Sequence, residues 1–234
     1  VTGLKVDEAG FVSAITTATG ERPTDAVIAT TDLPVVQSWL HDAATSAAGS
    51  SSKRRGLRSV VKRTGARRLF PVRFSPSAVV AHGLIPVSET ATWPKRHHLI
   101  SFGEKWNETF EEISSPRHGK LMSDPSLLVT RPAVSAPERI VTDANGVQWE
   151  PVSVLAPCPN LQSANLIWSR IGGDYVAKIT AELERRGLTG ISTKWRVGRI
   201  DTPQQWQERD MGVGSPFGLC LLYTSDAADD SLRV

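Results

Sequence analysis

Cysteine is nearly absent from this chain: Cys158 and Cys220 are its only two, far apart and without metal-ligand spacing. A disulfide framework is therefore excluded, and the chain reads as cytoplasmic. Long hydrophobic runs are missing as well. No stretch approaches the roughly 20 apolar residues that span a bilayer, which excludes an integral membrane protein built on helices. The short signatures of familiar chemistries are also lacking, with no HExxH, no paired cysteines, no G-x-S-x-G elbow and no phosphate loop. Gly212-Val213-Gly214 begins like a dinucleotide fingerprint, but the third glycine is misplaced and Pro216 intrudes. Ser101, His118 and Asp124 supply the residue types of a hydrolase without an elbow to expose a nucleophile. His97 and His98 are adjacent. Neighbours in a strand point to opposite faces, so the pair reads as structural or cleft lining, and no metal site is expected. Cys158, between two prolines in APCPN, reads as a small packed side chain.

What is present is a chain of 234 residues with 40% hydrophobic composition, enough for one large or two modest domains. Its net charge of +3 is not spread evenly. Lys53, Arg54, Arg55, Arg58, Lys62, Arg63, Arg67 and Arg68 hold eight of the 27 basic residues, and the remaining 19 are outnumbered by 24 acidic ones. This basic stretch follows flexible-linker composition (AATSAAGSSS) and reads first as a solvated surface insertion, with docking on an anionic membrane surface as the alternative. Nucleic acid is not an expected partner, because aromatic residues do not interleave with the charges.

Patterning predicts a mixed architecture, α/β or α+β. Val1–Val6 and Phe11–Ala18 alternate around Asp7–Gly10 as a hairpin, and residues 25–30 form a short apolar run that reads as a buried strand. Asp32 and Pro34 open a helix with Val35, Val36, Trp39 and Leu40 on one face. Strands are expected at 77–81, 97–102 and 127–130. A helix over 104–113 is expected to turn Trp106, Phe110 and Ile113 to one side. Asn145-Gly146 marks a second hairpin between 139–141 and 147–155. Asp174 is expected to cap a helix that buries Val176, Ile179 and Leu183 and stops at Gly187. Seven tryptophans, among them Trp93, Trp106, Trp149 and Trp168, suit the wall of an apolar cleft and equally an ordinary core.

Six blocks occur in order: DAVIATTDLP (25–34), HHLISFGEKWNETFEEI (97–113), GKLMSDPSLLVTRPA (119–133), VLAPCPNL (154–161), RIDTPQQW (199–206) and GSPFG (214–218). Together they resemble the bacterial phytoene desaturases, flavoenzymes that insert double bonds into carotenoid precursors. The resemblance implies an oxidoreductase of carotenoid biosynthesis that uses FAD, takes a hydrophobic polyene and works at a membrane surface without spanning it. A related carotenoid or retinoid redox flavoenzyme, and a non-catalytic lipid-binding or membrane-docking module, are the alternatives. It implies a partial FAD/NAD(P)-binding Rossmann-like domain in residues 1–34, a helix and basic insertion in 35–67, a substrate domain of mixed or antiparallel sheet with covering helices in 68–206, and a return toward the FAD domain in 207–218. Ala29, Thr30, Thr31 and Asp32 would approach the flavin through their backbone; a plain strand-to-helix turn capped by Asp32 accounts for the same residues. The family's glycine-rich start and its flavin-contacting C-terminal segment have no counterpart, and Val1 opens directly into a strand-like segment. The chain is thus expected to be an internal piece of a longer protein that does not retain FAD alone. Residues 219–234 (LCLLYTSDAADDSLRV) break the pattern and read as a foreign tail, or alternatively as a disordered acidic one.

Overall fold

The computed structural model describes residues 1–7, 11–47 and 73–218. The basic stretch and the segment 219–234 lie outside the described residues. The chain forms two compact units, Val1–Arg73 and Phe74–Val234.

In the first unit, β1 (Gly3–Val6), β2 (Val12–Thr17) and β3 (Gly20–Pro23) form an antiparallel meander. The expected hairpin is present, with Leu4 opposite Ile15 and Leu4 and Ala14 buried. The third strand was not legible; it is exposed along its length and turns back through Ala18-Thr19, where Thr17 Oγ1 donates to the Gly20 carbonyl at 2.7 Å. The buried strand expected at 25–30 does not form. That segment is irregular and mostly exposed, with Ile28 at 92% exposure, because no neighbouring strand among the described residues pairs with it. Helix α1 (Leu33–Ala47) follows as expected, packing on β1 with Val35, Val36, Trp39 and Leu40 half-buried and Ala43 buried.

The second unit is built on one antiparallel sheet. Its elements are β4 (Ser77–Pro86), α2 (Val87–Thr90), β5 (His98–Ser101), α3 (Trp106–Ser114), β6 (Leu127–Thr130), β7 (Val141–Thr142), β8 (Gln148–Cys158), α4 (Trp168–Arg185), α5 (Ile191–Lys194), β9 (Arg196–Asp201) and α6 (Pro203–Gln207). Strand order is β5-β6-β8-β4-β9, with the two-residue β7 beside β8 across the expected Asn145-Gly146 turn. All described pairs in both sheets are antiparallel, so the mixed α and β class expected from the sequence holds, in its α+β form.

The register aligns a row of inward residues across five strands: Ile200, Ala81, Val154, Val129 and Leu99. Val79, Val152, Ala156 and Leu127 flank it, and α4 covers this face with Tyr175, Val176, Ile179 and Leu183, each 4% exposed or less. Each such aliphatic side chain contributes about 1.5–3 kcal/mol on burial. Helix α4 begins at Trp168, so Asp174 lies inside it and is not its cap. The upstream turn forms because it buries Trp168 and Gly172, which outweighs the helix cost of Gly172-Gly173. Its end is as expected: the Leu188 amide donates to Leu183 O and the Gly187 amide to Glu184 O, a Schellman arrangement that Gly187 permits at φ +104°. Gly83 permits a bulge where β9 crosses β4; a Cβ there would lie 2.3 Å from the Arg196 carbonyl oxygen.

One apolar expectation is corrected, and one open alternative is decided. Helix α3 buries Thr109 and Ile113, while Trp106 and Phe110 are 56% and 54% exposed, so they do not share the buried side. Trp93, Trp149 and Trp168 are buried in the protein interior, where the Trp93 and Trp149 indoles donate to Thr189 O and Asp143 Oδ2. Burial makes these three core residues, not an accessible wall.

Candidate functional site

The sheet of the second unit has a second face, and among the described residues it is only partly covered. Side chains two residues apart along a strand share a face, as do cross-strand partners. Val80 of β4 therefore lines up with Leu155 of β8, Leu128 of β6 and Ile100 of β5, an apolar row whose first three members are half-buried and whose last is 60% exposed. Leu84 adds exposed apolar surface on β4.

One step along the strands, the partners form a polar row: Arg199, His82, Ser153, Thr130 and His98. Neighbours in it are joined by side chains. His82 Nδ1 and Ser153 Oγ are 2.8 Å apart, and His98 Nδ1 and Thr130 Oγ1 are 3.2 Å apart. Behind His82 stands Asp201, 1% exposed. Its Oδ1 accepts from Arg209 at 2.6 Å, and its Oδ2 lies 3.0 Å from Arg199 and 3.3 Å from His82 Nε2 without an aligned hydrogen bond. Arg209 in turn sits over the Trp206 ring at 5.0 Å, and the Trp206 indole donates to Ala78 O at 2.7 Å. A carboxylate taken out of water is stable only with such partners, so the two guanidiniums explain why it tolerates burial. The imidazole is left held between an anion and a hydroxyl, 35% exposed on the open face.

The sequence-derived candidates fall elsewhere. Ala29, Thr30 and Thr31 are exposed, and Asp32 is half-buried at the start of α1, where its carbonyl accepts from the Val35 and Val36 amides at 3.0 and 3.2 Å. Both the flavin-approaching turn and the helix-start turn are compatible with this geometry. Ser101 and Asp124 meet at the Arg186 guanidinium, which donates to them at 3.1 and 2.7 Å, and not at an imidazole. Asp124 Oδ2 also accepts the amides of Glu104 and Lys105; chiefly the Lys105 bond, and then Glu104 and Arg186, hold its carboxyl below the usual range. His118 is exposed. His97 precedes the strand, so alternation does not apply to it; its ring lies 4.5 Å from that of His98 and its Nδ1 is 2.8 Å from Ser135 Oγ. Among the described residues no group of three or more His, Cys, Asp or Glu is placed to hold a metal ion. Cys158 is buried beneath α4, where desolvation pushes its thiol far up and keeps it a packed side chain, as expected. Desolvation likewise raises Tyr175, whose hydroxyl lacks a hydrogen-bond partner.

The His82, Ser153, Asp201, Arg199 and Arg209 cluster was not visible in sequence, because it depends on the register of three strands. The sole local signal was the interruption of apolar runs by His82 and Ser153.

Among known proteins, a phytoene dehydrogenase of Streptomyces griseus is 36% identical over 211 residues, which is 89% of this chain and 35% of that protein. A lycopene-forming phytoene desaturase of Paracoccus sp. (strain N81106 / MBIC 01143) is 30% identical over 164 residues, 69% of this chain and 30% of its own length. A neurosporene-forming phytoene desaturase of Rhodobacter capsulatus is 30% identical over 125 residues, 53% of this chain and 22% of its own length. No family model matches. The chain thus spans about a third, or less, of the length of these curated relatives.

Proposed function

Because the chain is homologous to the phytoene dehydrogenase and desaturase family over the part of their length that it spans, we propose that it forms part of an FAD-dependent oxidoreductase that desaturates phytoene or a related carotenoid precursor. The observation that carries this reading, beside the homology, is the open face of the sheet. A long hydrocarbon offers almost no hydrogen-bonding handles and has to be held by apolar area. Val80, Leu155, Leu128 and Ile100 provide an apolar row across four strands, roughly 14 Å at about 4.8 Å per strand. In this reading residues 68–206 are the substrate domain and residues 1–34 belong to the cofactor domain.

FAD would accept the hydride, while the chain's own task is to hold the polyene in place and keep water from it. Ala29, Thr30, Thr31 and Asp32 fit the edge of a flavin site, since exposed backbone leading into a helix can approach a ring system. They do not form a phosphate cradle: among the described residues no glycine-rich turn leads from a strand into a helix. Association with the cytoplasmic surface of a membrane completes the proposal, because the substrate partitions into lipid. No helix among the described residues is long and apolar enough to cross a bilayer.

The test is a chimera in which this chain's residues 1–218 replace the aligned segment of the Streptomyces griseus protein. With phytoene in liposomes it should yield products of longer conjugation, read by their visible absorbance, and Leu155→Asp should abolish that yield while the chimera still folds and stays yellow. A folded, flavin-loaded chimera that leaves phytoene unchanged would overturn the proposal.

A further inference from the structure

The polar row is the feature of the open face that a hydrocarbon substrate does not explain. We propose that this face takes an isoprenoid alcohol, its chain on the Val80, Leu155 and Leu128 row and its hydroxyl donating to Ser153 Oγ. The inference deepens the function proposed above and rests on it.

The argument begins at Asp201. Its carboxylate is 1% exposed, and its Oδ2 faces His82 Nε2 at 3.3 Å. An anion at that distance favours the tautomer that places the imidazole proton on Nε2. Nδ1 is then an acceptor, and the group facing it, 2.8 Å away, is the Ser153 hydroxyl. Ser153 therefore spends its single proton on His82 and is left with oxygen lone pairs. A hydroxyl that has donated its proton can only accept, so the complementary ligand group is a donor, an alcohol and not a ketone or an ether.

Burial decides the rest. Ser153 and Thr130 are half-buried cross-strand partners, and they adjoin Leu155 and Leu128 two residues along their strands. An apolar ligand broad enough to cover the row would strip water from these hydroxyls without replacing its hydrogen bonds, at about 1–3 kcal/mol for each unsatisfied group. An alcohol restores one bond at the point of greatest loss. Neighbouring positions of one face lie about 6.6 Å apart along a strand. That separation suits a chain end that turns its terminal oxygen from the apolar row to the polar one. The arginines do not compete for the site, since Arg199 and Arg209 both pair with Asp201.

The experiment uses the 234-residue chain and three C20 probes of one shape: all-trans-retinol, its methyl ether and its deoxy hydrocarbon. Affinities are measured at pH 8, where an imidazole is ordinarily neutral, by quenching of tryptophan fluorescence. Retinol should bind about tenfold more tightly than the other two, the effect of one net hydrogen bond. Ser153→Ala should abolish the advantage of retinol over both its ether and the hydrocarbon. Circular dichroism establishes that the variant folds, and His82→Phe, which frees the Ser153 proton to donate, should raise the ether toward retinol's affinity. Equal affinity for all three probes, equal affinity for alcohol and ether, or a preference that survives Ser153→Ala overturns the alcohol site alone. No binding of any probe overturns it together with the apolar row on which the proposed function rests.

Discussion

The two faces of the sheet in the second unit are made from the same strands and differ in almost everything else. The covered face aligns Ile200, Ala81, Val154, Val129 and Leu99 beneath α4, and its core members are sealed from water. The open face alternates an apolar row with a polar one and leaves Ile100 and Leu84 in solvent. Stability and recognition are therefore separated by side-chain alternation in one layer. The covered face also contains a buried ion pair at its end. Arg131 and Glu150, each 4% exposed, form two hydrogen bonds at 2.8 and 2.9 Å, with Thr90 Oγ1 donating to Glu150 Oε2 at 2.7 Å. Arg131 also donates to Pro94 O at 2.8 Å and lies 5.4 Å from the centre of the Trp93 ring. It fastens the α2 turn and the 132–134 turn to β8.

The largest expected effect breaks the covered face at that pair. Arg131→Ala leaves Glu150 buried without its cation and should cost about 3–5 kcal/mol in urea unfolding. A loss under 1 kcal/mol would show that water reaches Glu150. Next, Ile179→Ala empties the space between α4 and the strands and should cost about 2–5 kcal/mol by the same measurement.

A smaller effect belongs to the edge where α3 and α4 meet. The Asp124 carboxyl lies below its ordinary value of 3.8 in the folded state, through the Lys105 amide first and Arg186 among the others. A depressed carboxylate contributes stability that is complete above its unfolded value and is lost as pH falls through its folded one. Thermal melts between pH 7 and pH 3 should therefore fall below about pH 4, and Asp124→Asn should flatten that fall. Glu182, lowered by Arg185 first and then by Arg186, keeps part of the slope. The smallest effect is on the open face: Ile100→Ser should change unfolding free energy by no more than about 0.5 kcal/mol. A cost of 2 kcal/mol would mean that the face is packed in the 234-residue chain and not open.

Much of the fold was legible where local signals are strong. The β6 strand at 127–130, the Asn145-Gly146 turn and the Gly187 stop were all read from residues close together in sequence, because turn chemistry and helix ends are local. The failures share a cause. Residues 25–30 are apolar enough for a strand, yet a strand needs a partner. Asp174 is a good cap residue, but burial of Trp168 carried the helix past it. Trp106 and Phe110 have helical spacing, yet no element among the described residues covers them. The family resemblance was readable in the sequence, whereas the cluster at Asp201 was not.

By itself the sequence determined the family, the mixed class and the places where the chain turns or stops, since each depends on ordered motifs or on the conformational limits of a few neighbouring residues. The tertiary structure alone decided that Asp201 stands behind His82 and Ser153, residues from three strands separated by as many as 119 positions. Hydrogen-bond register set that meeting. A slip of one residue in any strand would have turned its polar side chain to the opposite face.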